Sequence, residues 1–156
     1  MHTHSHLIEK FYTAFQQRDG ATMAACYAPD VRFSDPVFPE LRGERAGAMW
    51  KMLTGRAKDL TVEFSNVKAD DTTGSAHWDA RYTFNTGRKV LNRIDATFKF
   101  KDGLITEHTD VFDFWLWSRQ ALGPMGLLLG WSPMLKNKVR KTANDGLEKY
   151  LASQAR

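Results

Sequence analysis

The sequence predicts an α+β fold in which helices come first and an antiparallel sheet follows. Apolar residues recur at helical spacing in the first third of the chain, and they alternate with polar residues over several later segments. Helices followed by strands, with no internal repeat, are typical of helices packed on one face of a sheet. With 156 residues, 42% of them apolar and 26% charged, the chain has the length and composition of one globular domain.

Three helices are predicted before the sheet. Leu7, Phe11 and Phe15 share one face of the first helix, which ends near the sequence RDG. A short second helix is predicted over residues 21–27, where the following Pro-Asp stops it. The third helix is predicted over roughly residues 44–58, after a loop, because apolar residues again recur on one side.

Five strands complete the predicted fold. A short strand over residues 31–35 lies between the second and third helices and ends at a proline. The other four strands are predicted over residues 60–69, 76–85, 89–101 and 104–115. Turn residues separate them, and the Asp-Gly pair at 102–103 is a strong hairpin signal. The four strands are therefore expected to form an antiparallel meander.

The composition of the chain excludes several classes of functional site. The single cysteine, Cys26, excludes an internal disulfide and a cysteine-built zinc site, and together with the lack of a secretory signal it favours the cytoplasm. No phosphate-binding loop or metal-ligand spacing is present, so we expect no cofactor and no metal site. The net charge is +4, and the excess lies from residue 131 onward, with six Lys/Arg against two acidic residues. Residues 136–141 (KNKVRK) could contact nucleic acid or a membrane, but a solvated helix face is the favoured interpretation.

Four segments in this order resemble the nuclear transport factor 2-like superfamily, in particular its SnoaL-like, ketosteroid-isomerase-like and limonene-epoxide-hydrolase-like members. They are RDG at 18–20, CYAPDVRFSDP at 26–36, PELRG at 39–43 and FKFKDGLITEHTDVFDFW at 98–115. The resemblance implies a strongly bent antiparallel sheet that wraps around three helices as a cone with a deep pocket, often in a homodimer. It assigns residues 1–117 to the cone domain. Residues 118–156 would then be an extension packed on the same domain.

The extension contains an apolar segment and a predicted helix. Residues 123–133 are apolar but interrupted by glycine and proline, and we expect them to fold over the pocket mouth or a partner subunit. Residues 135–151 predict an amphipathic helix, whose thin apolar stripe argues against a membrane-surface role. We therefore expect no nucleic-acid or membrane partner.

Asp35 is the first candidate catalytic residue. It shares strand parity with Val31 and Phe33, so its side chain should face the core, where burial raises the pKa of a carboxyl group toward neutrality. The alternative is a turn cap, since aspartate before proline often ends a strand. VRFSDPV resembles the strand that carries the general base of ketosteroid isomerases. The oxyanion residues of that branch are missing, however, because their positions fall on Phe11 and Ala96.

His108 and Asp110 are the second candidates. They alternate toward the same side as Phe112, which puts two polar residues on an otherwise aromatic strand face. His108 could carry protons and Asp110 could hold its tautomer. The alternative is a satisfied core pair.

His77, Asp79 and Arg81 form the third group, and two interpretations stay open. Alternation makes Trp78 and its neighbours the apolar face and sends the polar trio to solvent. The epoxide-hydrolase-like resemblance instead puts His77 and Asp79 at the positions of an Arg-x-Asp pair inside the pocket, with Asp110 as the second acid. The apolar face, including Trp78, Tyr82 and Phe84, would then pack against a second subunit.

The sequence thus predicts a small-molecule enzyme that uses acid–base chemistry on a mid-sized, mostly apolar substrate: a hydrolase, cyclase or isomerase. Its catalytic residues would be Asp35, Asp79, His108 and Asp110. The alternative is a non-catalytic binding protein with the same fold. Residues expected to contact the substrate are Tyr12, Tyr27, Phe33, Phe38, Trp50, His77, Arg81 and Phe112.

Overall fold

A computed structural model describes residues 2–56 and 58–155 of the chain. It has an α+β architecture, as predicted, with three helices before β3 and three after β6. The helices are α1 Thr3–Gln16, α2 Gly20–Ala25, α3 Glu44–Arg56, α4 Phe114–Leu122, α5 Pro124–Leu129 and α6 Pro133–Gln154. The strands are β1 Tyr27–Ser34, β2 Leu41–Arg42, β3 Thr61–Ala69, β4 Thr73–Thr83, β5 Lys89–Lys101 and β6 Leu104–Val111.

The six strands form one bent sheet in the order β2-β1-β6-β5-β4-β3. Strands β3 to β6 form the predicted antiparallel meander. Strand β1, which comes much earlier in the chain, pairs with β6 in parallel and brings β2 to the edge of the sheet. This parallel pairing places the end of β1, and therefore Asp35, beside the strand that carries His108 and Asp110.

The inner face of the sheet packs against α1 and α3. Alternate residues of β5 are buried along the whole strand, as the hydrophobic pattern predicts. In β4 the buried residues are Ala76, Trp78 and Ala80, and Trp78 packs against Phe15 and Trp50. The expectation that Trp78 lies on the outer face, against a second subunit, is therefore wrong. Alternation had assigned an apolar face correctly, and the helices cover that face within the same chain.

The extension is more helical than predicted. Strand β6 ends at Val111, because the side chain of Asp113 accepts a hydrogen bond from the backbone N–H of Leu116 and starts α4 there. The segment expected as a loop over the pocket mouth forms α5, which packs on α4. Among the described residues, no helix is long and apolar enough to cross a bilayer.

Candidate functional site

Asp35 lies at the point where β1 ends, and its backbone and side chain together form a tight turn. The backbone N–H of Asp35 donates to the carbonyl oxygen of Phe38 at 2.8 Å. Its Oδ1 accepts the backbone N–H groups of Val37 at 2.7 Å and Phe38 at 2.6 Å. The turn-cap interpretation is thus right for Oδ1. Neither of these turn hydrogen bonds uses Oδ2, which leaves that oxygen for proton exchange or a ligand.

The groups around Asp35 come from β4 and from the C-terminal helices α4 and α6. The hydroxyl of Tyr82, on β4, accepts a hydrogen bond from Nε1 of Trp117, on α4, at 2.8 Å. Arg140, on α6, donates from Nε to the carbonyl oxygen of Pro36 at 2.9 Å. We call Asp35, Tyr82, Trp117 and Arg140 the cone-mouth site. The C-terminal extension therefore supplies Arg140, and Trp117 lies directly before the extension.

Burial is the largest cause that raises the pKa of Asp35, to about 7. The hydrogen bond from the N–H of Phe38 lowers this pKa, the negative charge of Asp110 raises it, and the bond from Val37 and the cation of Arg140 lower it. Solvent still reaches part of Asp35, yet the surrounding protein is dense enough for burial to prevail. A carboxyl group with this pKa exists in both protonation states near neutral pH, as a group that takes up and returns protons requires.

Behind this site lies a buried hydrogen-bonded chain that runs through Trp50, Tyr27, His108, Asp110 and Trp78. Nε1 of Trp50 donates to the Tyr27 hydroxyl at 2.7 Å, and that hydroxyl lies 2.7 Å from Nδ1 of His108. Nε2 of His108 lies 2.9 Å from Oδ1 of Asp110, which also accepts a hydrogen bond from Nε1 of Trp78 at 3.4 Å.

The partners in this chain determine the positions of its protons. An indole N–H only donates, so the Tyr27 hydroxyl accepts from Trp50 and gives its own proton to Nδ1 of His108. His108 is then the neutral tautomer with its hydrogen on Nε2, and it donates that hydrogen to Asp110. Every polar atom of His108 is satisfied, so the histidine holds Asp110 in place from behind.

The hydroxyl of Tyr12 differs from this chain because it has no hydrogen-bond partner. Among the described residues it is the one buried side-chain polar atom in that condition. Burial raises the pKa of Tyr12, and the nearby charges of Asp110 and then Tyr27 raise it further. A buried hydroxyl without a partner is costly, and it marks a position where a water or a ligand oxygen would be bound.

Several predicted substrate-contacting residues are part of the packed core. Tyr12, Phe33, Trp50 and His108 are at most 2% exposed, and Tyr27 is 7% exposed. The His108 ring packs against the rings of its aromatic neighbours, among them Phe33 at 5.0 Å between centroids. These residues lie together and are closed to solvent, and their contact with a substrate stays a prediction.

Phe38 and Phe112 are the two remaining aromatic residues that were expected to contact the substrate. Phe38 is almost fully buried beside the Asp35 turn. Phe112 is partly buried and lies between the main core and a smaller cluster that includes Phe114 and Trp117.

The third predicted group lies on the other side of the sheet. Nδ1 of His77 lies 2.8 Å from Oδ1 of Asp95 and Nε2 lies 2.8 Å from Oδ1 of Asp79, so each ring nitrogen donates to a carboxylate when the imidazole is protonated. Arg81 is exposed and lies 3.7 Å from the carboxylate of Glu63. The structure therefore separates Asp79 from Asp110, because residues 79 and 110 point to opposite faces of the sheet. The placement of His77, Asp79 and Arg81 inside the pocket, taken from the epoxide-hydrolase-like resemblance, is a wrong expectation.

Sequence reasoning missed three residues of the cone-mouth site. Tyr82 was assigned to an outer apolar face, although its parity with Trp78 already places both on one side of β4. Trp117 and Arg140 lie in or next to the extension, where no local pattern signals an approach to Asp35. Two open concavities, of 590 and 430 Å³, lie elsewhere and are lined by neither Asp35 nor Asp110.

The bent sheet around α1 to α3, with the carboxyl group of Asp35 at the end of β1, is the cone fold that the sequence predicts. Residues 8–108 match the family model of the SnoaL-like domain, and the chain belongs to that family. A comparison with curated proteins finds no match.

Solved structures show the same fold at low sequence identity. An NTF2-like protein of unknown function from Burkholderia pseudomallei is 19% identical, with a TM-score of 0.63 over 72% of this chain and 92% of that one. A proposed polyketide cyclase from Xanthomonas campestris is 23% identical, with a TM-score of 0.63 over 76% and 96% of the two chains. An epoxide hydrolase from Mycobacterium tuberculosis, similar to limonene epoxide hydrolase, is 22% identical, with a TM-score of 0.61 over 83% and 92%.

Proposed function

We propose that the protein is a small-molecule enzyme in which Asp35 transfers protons to and from a mid-sized, mostly apolar substrate. One observation carries the proposal. A carboxyl group lies half-buried at the end of β1, where the charges of a second acid, Asp110, and of a cation, Arg140, both act on it. Groups that are both perturbed and mutually close are characteristic of acid–base sites.

The geometry supports a division of roles. Oδ1 of Asp35 is held by two backbone N–H groups, so the carboxyl group keeps its orientation while Oδ2 exchanges a proton with the substrate or with water. Asp110 acts as a neighbouring negative charge that helps keep Asp35 basic. His108 is a positioning residue, since it reaches the site only through Asp110. The hydroxyl of Tyr12 is available to donate to a water or substrate oxygen.

The reaction class follows from this set of groups. Hydrolysis, cyclisation and isomerisation of an apolar substrate each need proton transfer, which Asp35 would provide, and the exclusion of bulk water, which the bound substrate would complete at the half-exposed carboxyl group. The epoxide hydrolase and the proposed polyketide cyclase of similar fold support the same range of reactions. In this proposal Asp35 replaces the Asp79–Asp110 pair as the centre of the chemistry.

A non-catalytic binding protein is the second candidate. The complete burial of His108 and the dense aromatic packing around it favour a stable core over a reactive one. In a binding protein, the ligand would occupy the cone mouth and the raised pKa of Asp35 would only tune its affinity.

The experiment is an activity screen with terpene and aryl epoxides and with linear polyketide-like diketones, applied to the wild type and three aspartate variants. We expect Asp35→Asn to lower kcat/KM by about 100-fold or more, as the loss of a general base does. Asp110→Asn should lower it less, through the charge next to Asp35. Asp79→Asn is the matched control, with the same chemical change on the outer face, and should leave turnover near that of the wild type.

The outcomes separate the candidates. Full activity in Asp35→Asn would overturn the proposed role of Asp35. Loss of turnover in Asp79→Asn would restore the two-acid mechanism. Saturable binding of these compounds to the wild type, without turnover of any of them, would support the binding protein.

A homodimer and a cytoplasmic location stay predictions. The dimer was expected because Trp78 and its aromatic neighbours would form an exposed surface, and Trp78 is instead buried within one chain. Sedimentation at micromolar concentration tests it directly.

A further inference from the structure

Helix α5 has the reverse of the usual burial pattern. The buried residue of this helix is Gly126, whereas Leu127, Leu128 and Leu129 are exposed. Leu128 is 68% exposed. A helix on a protein surface normally turns its leucines inward and its small or polar residues outward.

The glycine side of α5 is fitted closely to α4, which holds the leucines outward. A Cβ atom at Gly126 would overlap the carbonyl oxygen of Ser118, so only glycine fits there. Nε1 of Trp115 donates to the carbonyl oxygen of Leu127 at 3.2 Å, and Nε1 of Trp131 donates to that of Leu128 at 2.8 Å. The outward leucines are therefore a consequence of specific packing.

The leucines belong to a larger exposed surface. Within residues 2–56 and 58–155, nine large apolar side chains are exposed, and six of them lie between residues 125 and 134. We call these six the apolar patch: Met125, Leu127, Leu128, Leu129, Trp131 and Met134. Single exposed apolar residues are ordinary, but a contiguous group of this size marks an interaction surface.

Charge around the apolar patch is mainly positive, although Nζ of Lys141 lies 3.1 Å from Oδ2 of Asp145, the first acidic residue after the patch. The 31 residues from Phe114 to Asn144 include five Lys/Arg and no Asp or Glu. Met134, Lys138 and Lys141 are all exposed at helical spacing on α6, so an apolar side chain and two ammonium groups share one helix face. The surface that would bind here is therefore apolar in its interior and negatively charged at its boundary.

We propose that the apolar patch binds the surface of a membrane that contains anionic phospholipids, which replaces the expectation of no membrane partner drawn from the apolar stripe of residues 135–151 alone. The leucines and Met134 would enter the boundary between headgroups and acyl chains, Trp131 would lie at the interface, and Lys138 and Lys141 would contact the headgroups. A second copy of the chain fits less well, because a symmetric dimer through this patch would bring the same positive charges together.

Vesicle flotation with the full chain tests the proposal. The probes are vesicles of phosphatidylcholine alone and vesicles in which about one third of the lipid is phosphatidylserine. We expect the protein to float with the phosphatidylserine vesicles and to be released by high salt. Leu127→Ser with Leu128→Ser should weaken binding about tenfold or more, because two side chains leave the acyl boundary.

Lys138→Gln with Lys141→Gln should weaken binding about fivefold for each lysine on anionic vesicles only. Matched controls change the same residue types elsewhere: Val111→Ser, which is 61% exposed on β6, and Lys101→Gln on β5. The controls should bind as the wild type does. Circular dichroism and the thermal midpoint verify that each variant is folded.

Failure of the wild type to float with either vesicle would overturn the proposal. So would equal binding by the leucine variant, or a dimer in sedimentation that the leucine variant dissociates, since the patch would then bind a second copy.

Discussion

Replacing Asp35 with asparagine removes the ionisable group of the cone-mouth site and keeps its turn. The amide oxygen of asparagine can accept the same backbone N–H groups of Val37 and Phe38 that Oδ1 accepts now. The variant therefore isolates the free-energy cost of a charge at this position from the loss of a turn cap.

The magnitude follows from the pKa of Asp35, which burial raises from 3.8 to about 7. Between pH 3.8 and about pH 7 the folded protein binds more protons than the unfolded chain, so the free energy of unfolding falls as pH rises. At about 1.4 kcal/mol for each tenfold change in proton affinity, the penalty reaches about 4 kcal/mol above pH 7. Because solvent still reaches part of Asp35, we expect Asp35→Asn to stabilise the protein by about 2 to 4 kcal/mol at pH 8.

Urea unfolding of wild type and variant at pH 4 and pH 8 measures this difference. At pH 4 the two free energies of unfolding should nearly agree, since Asp35 is almost fully protonated in the folded protein and about half protonated in the unfolded chain. The variant should then gain stability relative to wild type up to pH 8. A gain of the same size at both pH values would refute a buried, perturbed carboxyl group at this position.

Three further predictions concern packing and the outer face. Tyr27→Phe should lower the free energy of unfolding by about 3 kcal/mol, measured in urea, because an indole N–H and Nδ1 of His108 lose their partner. Gly126→Ala should lower the thermal midpoint by several degrees through a clash with α4, whereas Gly55→Ala, with open space around it, should not. The carboxylates beside His77 raise its pKa, so His77→Gln should destabilise the protein more at pH 5.5 than at pH 8.5, and equal effects would contradict that ion pairing.

Much of the fold could be predicted because it follows local patterns. Alternation located β3 to β6 within a few residues, and the pleat alone assigned the inner face of β4 correctly. The epoxide-hydrolase-like resemblance placed Asp79 beside Asp110, against the strand alternation, and this placement is wrong. Neighbouring positions in a strand face opposite ways, so a register taken from a distant relative has little power to override the pleat.

The structure of the extension could not be predicted from local sequence patterns. Hydrophobicity predicts burial, and nothing in the order of residues 123–133 shows that glycines would occupy the buried side of α5 and leucines the exposed side. Arg140 reaches Pro36 through a contact between residues 104 positions apart, which no local pattern reports. Asp35 could be predicted because its strand parity is local, and its partners could not because they are remote.

The parallel pairing of β1 with β6 also sets the order in which the molecule can be assembled. Phe33 pairs with His108, about 75 residues later, so β1 has no neighbour on its inner side until nearly the whole sheet has been synthesised. Such long-range pairing slows folding, because the intervening chain loses conformational entropy before the stabilising contacts between the strands form. A chain still on the ribosome, or one truncated before β6, holds Asp35 on an open strand edge that is prone to pair with other chains. The proton transfer that we propose for Asp35 can therefore begin only once this last closure is complete.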